Sequence, residues 1–321
     1  MLKTAELCLA AIKQDGVTLE YVPEDLKTTE LCFTAVQQER KSNGCVLKFV
    51  PESLKTPELC FAAIQQDGSA LKYVPDSLKT AEMCLIAVKQ NGIAYEHVPQ
   101  DLRTEEMFHL AVQRESWVFI NLPKKSKTAA LCLTAVQRQG TLLEYVPAEL
   151  MTTELCLTAV RDNGNALKYV PDNFKTTEIC LASVLENGNA LEYVPDNLKT
   201  AELCLAAVQQ FSWGNNGMTL KLIPDYFKTE KLCRTAVRYD GYTLKYVPEN
   251  LKTEPICSCA VKQYGFALKQ VPLSLRTAKL CLAAVREDGM ALKFVPEELR
   301  TMELCMEAIQ SVERERAKSN S

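Results

Sequence analysis

The amino-acid sequence predicts an all-α protein, an elongated α/α or α/3-10 solenoid built from thirteen repeats of 24 residues. Three observations predict this fold. One phrase, Leu-Lys-Thr-x-Glu-Leu-Cys, returns at an almost constant interval; its apolar residues have the spacing of a short helix; and a glycine and a Val-Pro pair follow at fixed distances. We expect a single solenoid over residues 1–312 and a polar tail over residues 313–321.

A threonine marks the start of each repeat. Successive threonines are 24 residues apart, except for steps of 28 residues after Thr28 and 29 residues after Thr200. Threonine is a good helix N-cap, because its side-chain oxygen accepts a hydrogen bond from a backbone N–H that has no partner inside the helix. Numbered as repeats 1 to 13, the caps are Thr4, Thr28, Thr56, Thr80, Thr104, Thr128, Thr152, Thr176, Thr200, Thr229, Thr253, Thr277 and Thr301.

The segment after each cap is predicted to be a helix of about three turns. Its apolar residues recur with the spacing of one helix face. In repeat 3 these residues are Leu59, Cys60, Ala63 and Ile64. We expect the glycine that follows, Gly68 in this repeat, to end the helix in the left-handed conformation, which glycine adopts without steric strain.

A shorter second element follows the glycine. In repeat 3 it is residues 70–75, Ala-Leu-Lys-Tyr-Val-Pro, and we favour a short α-helix or 3-10 helix that the proline closes. A strand is the alternative, since short apolar runs are ambiguous, and it would make the fold an α/β solenoid. A helix pair this small cannot bury its own apolar face, so we expect neighbouring repeats to share the core.

Composition argues against several classes of protein. The chain has 37 Lys and Arg against 40 Asp and Glu, a net charge of −3, so no bulk positive charge attracts nucleic acid or an anionic membrane. No apolar run approaches the roughly 20 residues that span a bilayer. The N-terminus lacks the apolar stretch of a secretory signal, and we therefore expect a cytoplasmic protein.

Cysteine recurs four residues after the cap in every repeat but the fifth, where Phe108 takes this position. Equivalent positions on stacked helices lie roughly 9–10 Å apart, whereas a disulfide needs Cα atoms within about 7 Å. Zinc needs four converging ligands, and each repeat offers one. We interpret these residues as buried apolar side chains in a reducing compartment. The cysteine column is Cys8, Cys32, Cys60, Cys84, Cys132, Cys156, Cys180, Cys204, Cys233, Cys257, Cys281 and Cys305.

No combination of residues predicts catalysis. The two histidines are His97 and His109, and the sequence has no Ser-His-Asp arrangement, glycine-rich phosphate loop or metal-spaced cluster. His97 occupies a position that holds tyrosine or phenylalanine in most repeats, such as Tyr73. These rings are expected either to pack on the next repeat or to line a concave binding groove. The sequence predicts no enzyme, no metal and no cofactor.

A lysine or arginine precedes almost every cap, for example Lys55 and Lys79. Such a stripe is able to follow a phosphate backbone, which makes nucleic-acid binding a remote alternative. An acidic residue usually follows the Val-Pro pair, as Glu52 and Asp76 do. We expect the two columns to neutralise each other.

Departures from the repeat are the candidate sites for a partner, since insertions in solenoids often lie on the binding face. Repeat 5 lacks the cysteine, glycine and tyrosine together, and repeats 2 and 9 contain insertions. Unselected sequence drift is the alternative explanation. The candidate partner-binding residues are His109, Trp117, Arg40, Lys41, Phe211, Trp213, Asn215 and Asn216.

The repeat resembles a bacterial tandem-repeat family, the domain of unknown function 4116. In repeat 7 the matching residues are 152–157, 164, 166–167, 169–171 and 174–175. The resemblance implies helical arrays, some of them in effectors delivered into host cells, and no catalytic residues. We therefore expect a scaffold that binds a protein or peptide in the cytoplasm of the producing cell or of a host. Self-assembly by end-to-end stacking of repeats is the alternative.

Overall fold

A computed structural model describes residues 5–38, 45–210 and 218–319. Every regular element in these ranges is a helix, so the predicted all-α repeat fold is confirmed and the strand alternative is wrong. The chain divides into two compact units, Met1–Met151 and Thr152–Ser321. Repeats 1 to 6 lie in the first unit and repeats 7 to 13 in the second.

The first element of each repeat is an α-helix, usually of ten residues, that begins directly after its cap. In the first unit the α-helices are α1 (Ala5–Gln14), α2 (Thr29–Gln37), α3 (Pro57–Gln66), α4 (Ala81–Gln90), α5 (Glu105–Arg114), α6 (Val118–Asn121) and α7 (Ala129–Arg138). In the second unit they are α8 (Thr153–Asp162), α9 (Thr177–Glu186), α10 (Ala201–Gln209), α11 (Met218–Leu222), α12 (Glu230–Tyr239), α13 (Glu254–Gln263), α14 (Ala278–Glu287) and α15 (Met302–Ser319). Helix α15 extends to Ser319, into the segment expected to be a tail.

The second element is a 3-10 helix, except in repeats 5 and 9, where α6 and α11 take its place. These 3-10 helices are Gly16–Tyr21, Val46–Phe49, Gly68–Tyr73, Gly92–His97, Gly140–Tyr145, Gly164–Tyr169, Gly188–Tyr193, Gly241–Tyr246, Gly265–Gln270 and Gly289–Phe294. One more turn of 3-10 helix follows the proline that comes after each second element: Glu24–Leu26, Glu52–Leu54, Asp76–Leu78, Gln100–Leu102, Lys124–Ser126, Ala148–Leu150, Asp172–Phe174, Asp196–Leu198, Asp225–Phe227, Glu249–Leu251, Leu273–Leu275 and Glu297–Leu299.

Threonine caps the first α-helix of most repeats as predicted, and the predicted cap Thr4 lies outside the described residues. In repeat 7 the Oγ1 of Thr152 accepts a hydrogen bond from the backbone N–H of Leu155, at 3.2 Å. Thr253 is an exception: it precedes α13, but its Oγ1 is buried and has no hydrogen-bond partner among the described residues.

An aspartate or asparagine joins the first element to the second. Asn163 ends α8 in an extended conformation, with φ −147° and ψ 110°, and its side chain accepts from the backbone N–H of Asn165 at 3.0 Å. This residue therefore stops one helix and caps the next. The repeat pattern alone did not predict this role. The other residues that cap in the same way are Asp15, Asp67, Asn91, Asn187, Asp240 and Asp288.

The role predicted for the glycines is wrong. Gly68 does not adopt the left-handed conformation; it is the first residue of the 3-10 helix. A Cβ atom at Gly68 would lie 2.5 Å from the carbonyl oxygen of Ala87, in the α-helix of the next repeat. Glycine is required because two backbones approach each other here. The same holds for Gly16, Gly92, Gly164, Gly188, Gly241, Gly265 and Gly289.

The core lies between consecutive repeats of each unit. Helix α8 packs against α9, α9 against α10, and 3-10 helices pack on the α-helix of the following repeat in the same unit. The apolar face predicted in repeat 3 is fully buried. Within the described residues, no helix combines the length and the apolar character that crossing a membrane requires.

We predict that Gly289→Ala destabilises the second unit. The new Cβ atom would lie 2.3 Å from the carbonyl oxygen of Ala308 and 2.8 Å from Cγ2 of Val312. Overpacking of this kind costs about 1–3 kcal/mol. Urea unfolding followed by circular dichroism measures the loss, and Met290→Ala is the control, because the neighbouring Met290 side chain is 56% exposed. Equal stability of the two variants would contradict the prediction.

Candidate functional site

Two of the predicted partner-binding residues lie in the described part of the chain. His109 is half-buried on α5, with its Nε2 3.9 Å from Oε1 of Glu105. Trp117 directly precedes α6 and is 37% exposed. Six others lie outside the described residues: Arg40, Lys41, Phe211, Trp213, Asn215 and Asn216.

The cysteine column lies in the core, as predicted. Its members are buried, except Cys305, which is half-buried on α15. Burial raises the pKa of the Cys60 thiol, and likewise that of Cys156, to about 11. These thiols are therefore protonated near neutral pH, where a nucleophile or metal ligand would need the thiolate. Their packing role is confirmed.

The basic column holds neighbouring repeats together. The Nζ of Lys55, the last residue of repeat 2, donates to the backbone carbonyl oxygen of Tyr73 in repeat 3 at 2.8 Å. The same Nζ lies 2.6 Å from Oε1 of Glu52. The lysine side chain is 5% exposed, whereas that of Glu52 is 75% exposed. The ammonium group thus satisfies a carbonyl at the C-terminal end of a 3-10 helix, where positive charge is favourable.

Other repeats use the same arrangement, so the predicted neutralisation of the two columns is confirmed. The ion pairs are Lys27–Glu24, Lys55–Glu52, Lys79–Asp76, Lys175–Asp172, Lys199–Asp196, Lys228–Asp225 and Lys252–Glu249. Carbonyl contacts from the basic column to a following 3-10 helix also occur at Lys27, Lys79, Lys127 and Arg276. These cations are engaged within the fold, which argues against a phosphate-binding stripe.

We predict that the two partners of such a pair contribute unequally to stability. Lys55→Met keeps the apolar stem but leaves the carbonyl of Tyr73 without its donor, which costs about 1–3 kcal/mol. Glu52→Gln removes only an exposed ion pair and should change the stability little. Urea unfolding of both variants tests this. A larger loss in Glu52→Gln than in Lys55→Met would show that the ion pair, and not the carbonyl contact, is the stabilising interaction.

A polar cavity of about 740 Å³ lies in the first unit, near the ends of α3, α4 and α5. The side-chain amide of Gln90, in its wall, links repeat 4 to repeat 3. The Oε1 of Gln90 accepts from the backbone N–H of Gly68 at 2.9 Å, and its Nε2 donates to the carbonyl oxygen of Gln65 at 3.2 Å. The cavity wall carries charges of both signs, from Asp67, Arg114 and Glu115. The cavity therefore favours neither an anionic nor a cationic ligand.

A second surface, in repeats 10 to 12, has a different composition. It is a cleft of about 350 Å³ lined by aromatic and lysine side chains. We call it the aromatic–lysine cleft and define it by Tyr242, Lys245, Tyr264, Phe266, Ala267, Lys269, Gln270, Lys293 and Phe294. All of these residues belong to the second unit.

Three departures in repeat 11 build this cleft. Tyr264 takes the position of the capping aspartate or asparagine, and the 3-10 helix that follows it has no side-chain cap. Phe266 follows the glycine, where repeats 7 and 8 have Asn165 and Asn189. Gln270 replaces the tyrosine or phenylalanine of other repeats, and this smaller, unbranched side chain lines the cleft.

The rings of the cleft form a continuous cluster across repeats. Tyr242 and Tyr264 meet edge to face, with centroids 5.8 Å apart, and Tyr264 stacks with Phe266 at 5.9 Å. Phe266 meets Phe294 edge to face at 5.7 Å. Tyr242 and Tyr264 are nevertheless 40% and 38% exposed. Aromatic rings that are fixed by one another and still exposed are typical anchors for a partner.

Lysine ammonium groups cover the ring faces. The Nζ of Lys245 lies 3.7 Å from the ring centroid of Tyr242, and that of Lys293 lies 4.6 Å from the centroid of Phe266 and 5.0 Å from that of Phe294. Hydrogen bonding to Tyr242 raises the pKa of Lys245, so this group is charged at neutral pH. The cleft therefore combines positive charge with apolar ring surface.

Sequence analysis missed this cleft, although a signal was present. The residue before the aromatic position is lysine in four consecutive repeats: Lys221, Lys245, Lys269 and Lys293. In other repeats this position is often glutamate, at Glu20, Glu96, Glu144 and Glu192. A run of like charge at one repeat position, next to unusual aromatic residues, marks a local surface.

The fold and this surface define a helical tandem-repeat protein with a local cleft. The family model described as Domain of unknown function (DUF4116) matches residues 5–55, 41–79, 56–103, 131–175, 176–228 and 229–276. The chain belongs to this family, as its repeat phrase indicated. Comparisons with curated proteins and with solved structures gave no significant match.

Proposed function

We propose that the chain is a non-catalytic repeat scaffold that binds a protein or peptide partner through the aromatic–lysine cleft. Repeat 11 is the observation that carries this proposal. It lacks the helix cap that most repeats have, and Tyr264, an exposed ring, occupies that position. A capping side chain is worth about 1 kcal/mol, so an exposed ring at this position is unfavourable for stability, which supports a role in binding.

The proposed location is the cytoplasm, either of the producing cell or of a host cell into which the protein is delivered. A column of buried thiols such as Cys60 and Cys156 fits a reducing compartment. The family resemblance supports a bacterial origin.

A random peptide library displayed on phage tests the binding proposal. We expect the immobilised wild-type chain to enrich peptides that a double variant, Tyr264→Asn with Phe266→Asn, does not retain. This variant restores the Asn-Gly-Asn sequence of repeats 7 and 8, so it regains a helix cap and should fold at least as well as the wild type.

The matched control is Lys168→Glu, which changes the same lysine position in repeat 7, away from the cleft. It should retain the enriched peptides. No enrichment by the wild type, or equal retention of the peptides by the double variant, would contradict the proposed function.

Self-association is the second candidate function, and two exposed apolar side chains favour it. Leu7 on α1 is 64% exposed and Ile309 on α15 is 60% exposed. The equivalent side chains of interior repeats are buried, for example Leu31 at 6% and Val285 at 0%. In interior repeats the equivalent helix faces pack against a neighbouring repeat. Two copies of the chain are able to bury the exposed faces of α1 and α15 against each other.

Light scattering over a range of concentrations tests this candidate. Association through these faces predicts a mass that rises with concentration in the wild type and remains that of a monomer in Ile309→Glu. A monomeric wild type at the highest concentration would exclude self-association as the function.

A further inference from the structure

We propose that the aromatic–lysine cleft recognises an acidic peptide in the polyproline II conformation, with a carboxylate at every third residue. This inference rests on the proposed binding function and adds the chemistry of the ligand. It follows from the charge of the cleft, the arrangement of its rings and the spacing of its lysines.

The charge of the cleft is the first argument. Its lining includes three lysines, Lys245, Lys269 and Lys293, and no carboxylate. Asp240 and Asp288, in the adjoining caps, accept hydrogen bonds from the backbone N–H groups of Tyr242 and Met290, at 2.8 Å and 2.9 Å. Neither carboxylate belongs to the lining of the cleft, so the lining itself has an excess of positive charge that attracts an anionic ligand.

The positions of the ammonium groups favour carboxylates over nucleobases. Single-stranded nucleic acids bind by stacking their bases on aromatic faces. Here Lys293 lies over Phe266 and Phe294, and Lys245 lies over Tyr242 and Tyr246. A stacked base would displace these ammonium groups from the rings, whereas a carboxylate binds them where they are.

The spacing of the lysines gives the geometry of the peptide. Lys245, Lys269 and Lys293 occupy the same position in consecutive repeats, and stacked helices are roughly 9–10 Å apart. A polyproline II helix rises about 3.1 Å per residue and has three residues per turn, so side chains three apart share one face about 9 Å apart. Aromatic clefts also bind this conformation, because it is extended and already ordered.

Fluorescence anisotropy with synthetic peptides tests the inference. The probe is a labelled peptide of repeated Glu-Pro-Ala units, and the comparison peptide has glutamine in place of glutamate. We expect the glutamate peptide to bind the wild-type chain about tenfold more tightly, because three exposed ion pairs contribute modestly each. The affinity should fall as the salt concentration rises.

Variants locate the binding on the chain. Lys269→Glu reverses the central charge of the cleft and should weaken binding of the glutamate peptide by at least the same factor. Lys168→Glu makes the same change in repeat 7 and should leave the affinity unaltered. Circular dichroism of both variants checks that each is folded.

Several results would overturn the inference. They are equal affinity for the glutamate and glutamine peptides, unchanged binding by Lys269→Glu, or tighter binding of a single-stranded oligonucleotide than of the glutamate peptide. If the phage library instead yields neutral or basic peptides that depend on Tyr264 and Phe266, the binding function stands and the acidic ligand is wrong.

Discussion

The close approach of two backbones between neighbouring repeats is the constraint on which the rest of the structure depends. A glycine begins the 3-10 helix and lies against the carbonyl oxygen of an alanine in the next α-helix, as Gly188 does against Ala207. A Cβ atom at Gly188 would lie 2.3 Å from that carbonyl oxygen, so there is no room for one. In repeat 8, Ser183 replaces the alanine, and its buried hydroxyl donates to the carbonyl oxygen of Gly164 at 2.8 Å. The close contact is kept, with a hydrogen bond added.

Because neighbouring repeats pack so closely, the cysteine column and the basic column both make contacts within the fold. Most thiols at the cysteine position are buried, and burial raises the pKa of Cys60 and Cys156. Lysines before the caps, such as Lys55, donate to the following 3-10 helix. Residues that look like a metal ladder or a phosphate-binding stripe in the sequence therefore stabilise the stack. The residue after the glycine is freer to vary, and it is exposed at Tyr242 and half-buried at Phe266.

The aromatic–lysine cleft forms where aromatic and lysine side chains occupy variable positions in three consecutive repeats, 10 to 12. One exposed tyrosine or one lysine would be unremarkable on any helical surface. Tyr242, Tyr264, Phe266 and Phe294 instead contact one another in sequence. Lys245 lies over the ring of Tyr242, and Lys293 lies over the rings of Phe266 and Phe294. The loss of a cap at Tyr264 links the cleft to the energetics of the fold, since most repeats have a capping aspartate or asparagine at this position.

The sequence by itself determined the features that depend on local interactions. The period, the threonine caps, the α-helical first element and the burial of the cysteines follow from residue type and spacing, because a helix of ten residues is specified by its own cap and apolar face. Tertiary structure decided the roles of Gly68, Lys55 and the cleft. Gly68 is needed only because Ala87 lies against it, and Lys55 finds its carbonyl partner at Tyr73. The cleft unites residues of three repeats that are distant in the chain, and only the stacking of those repeats brings them together.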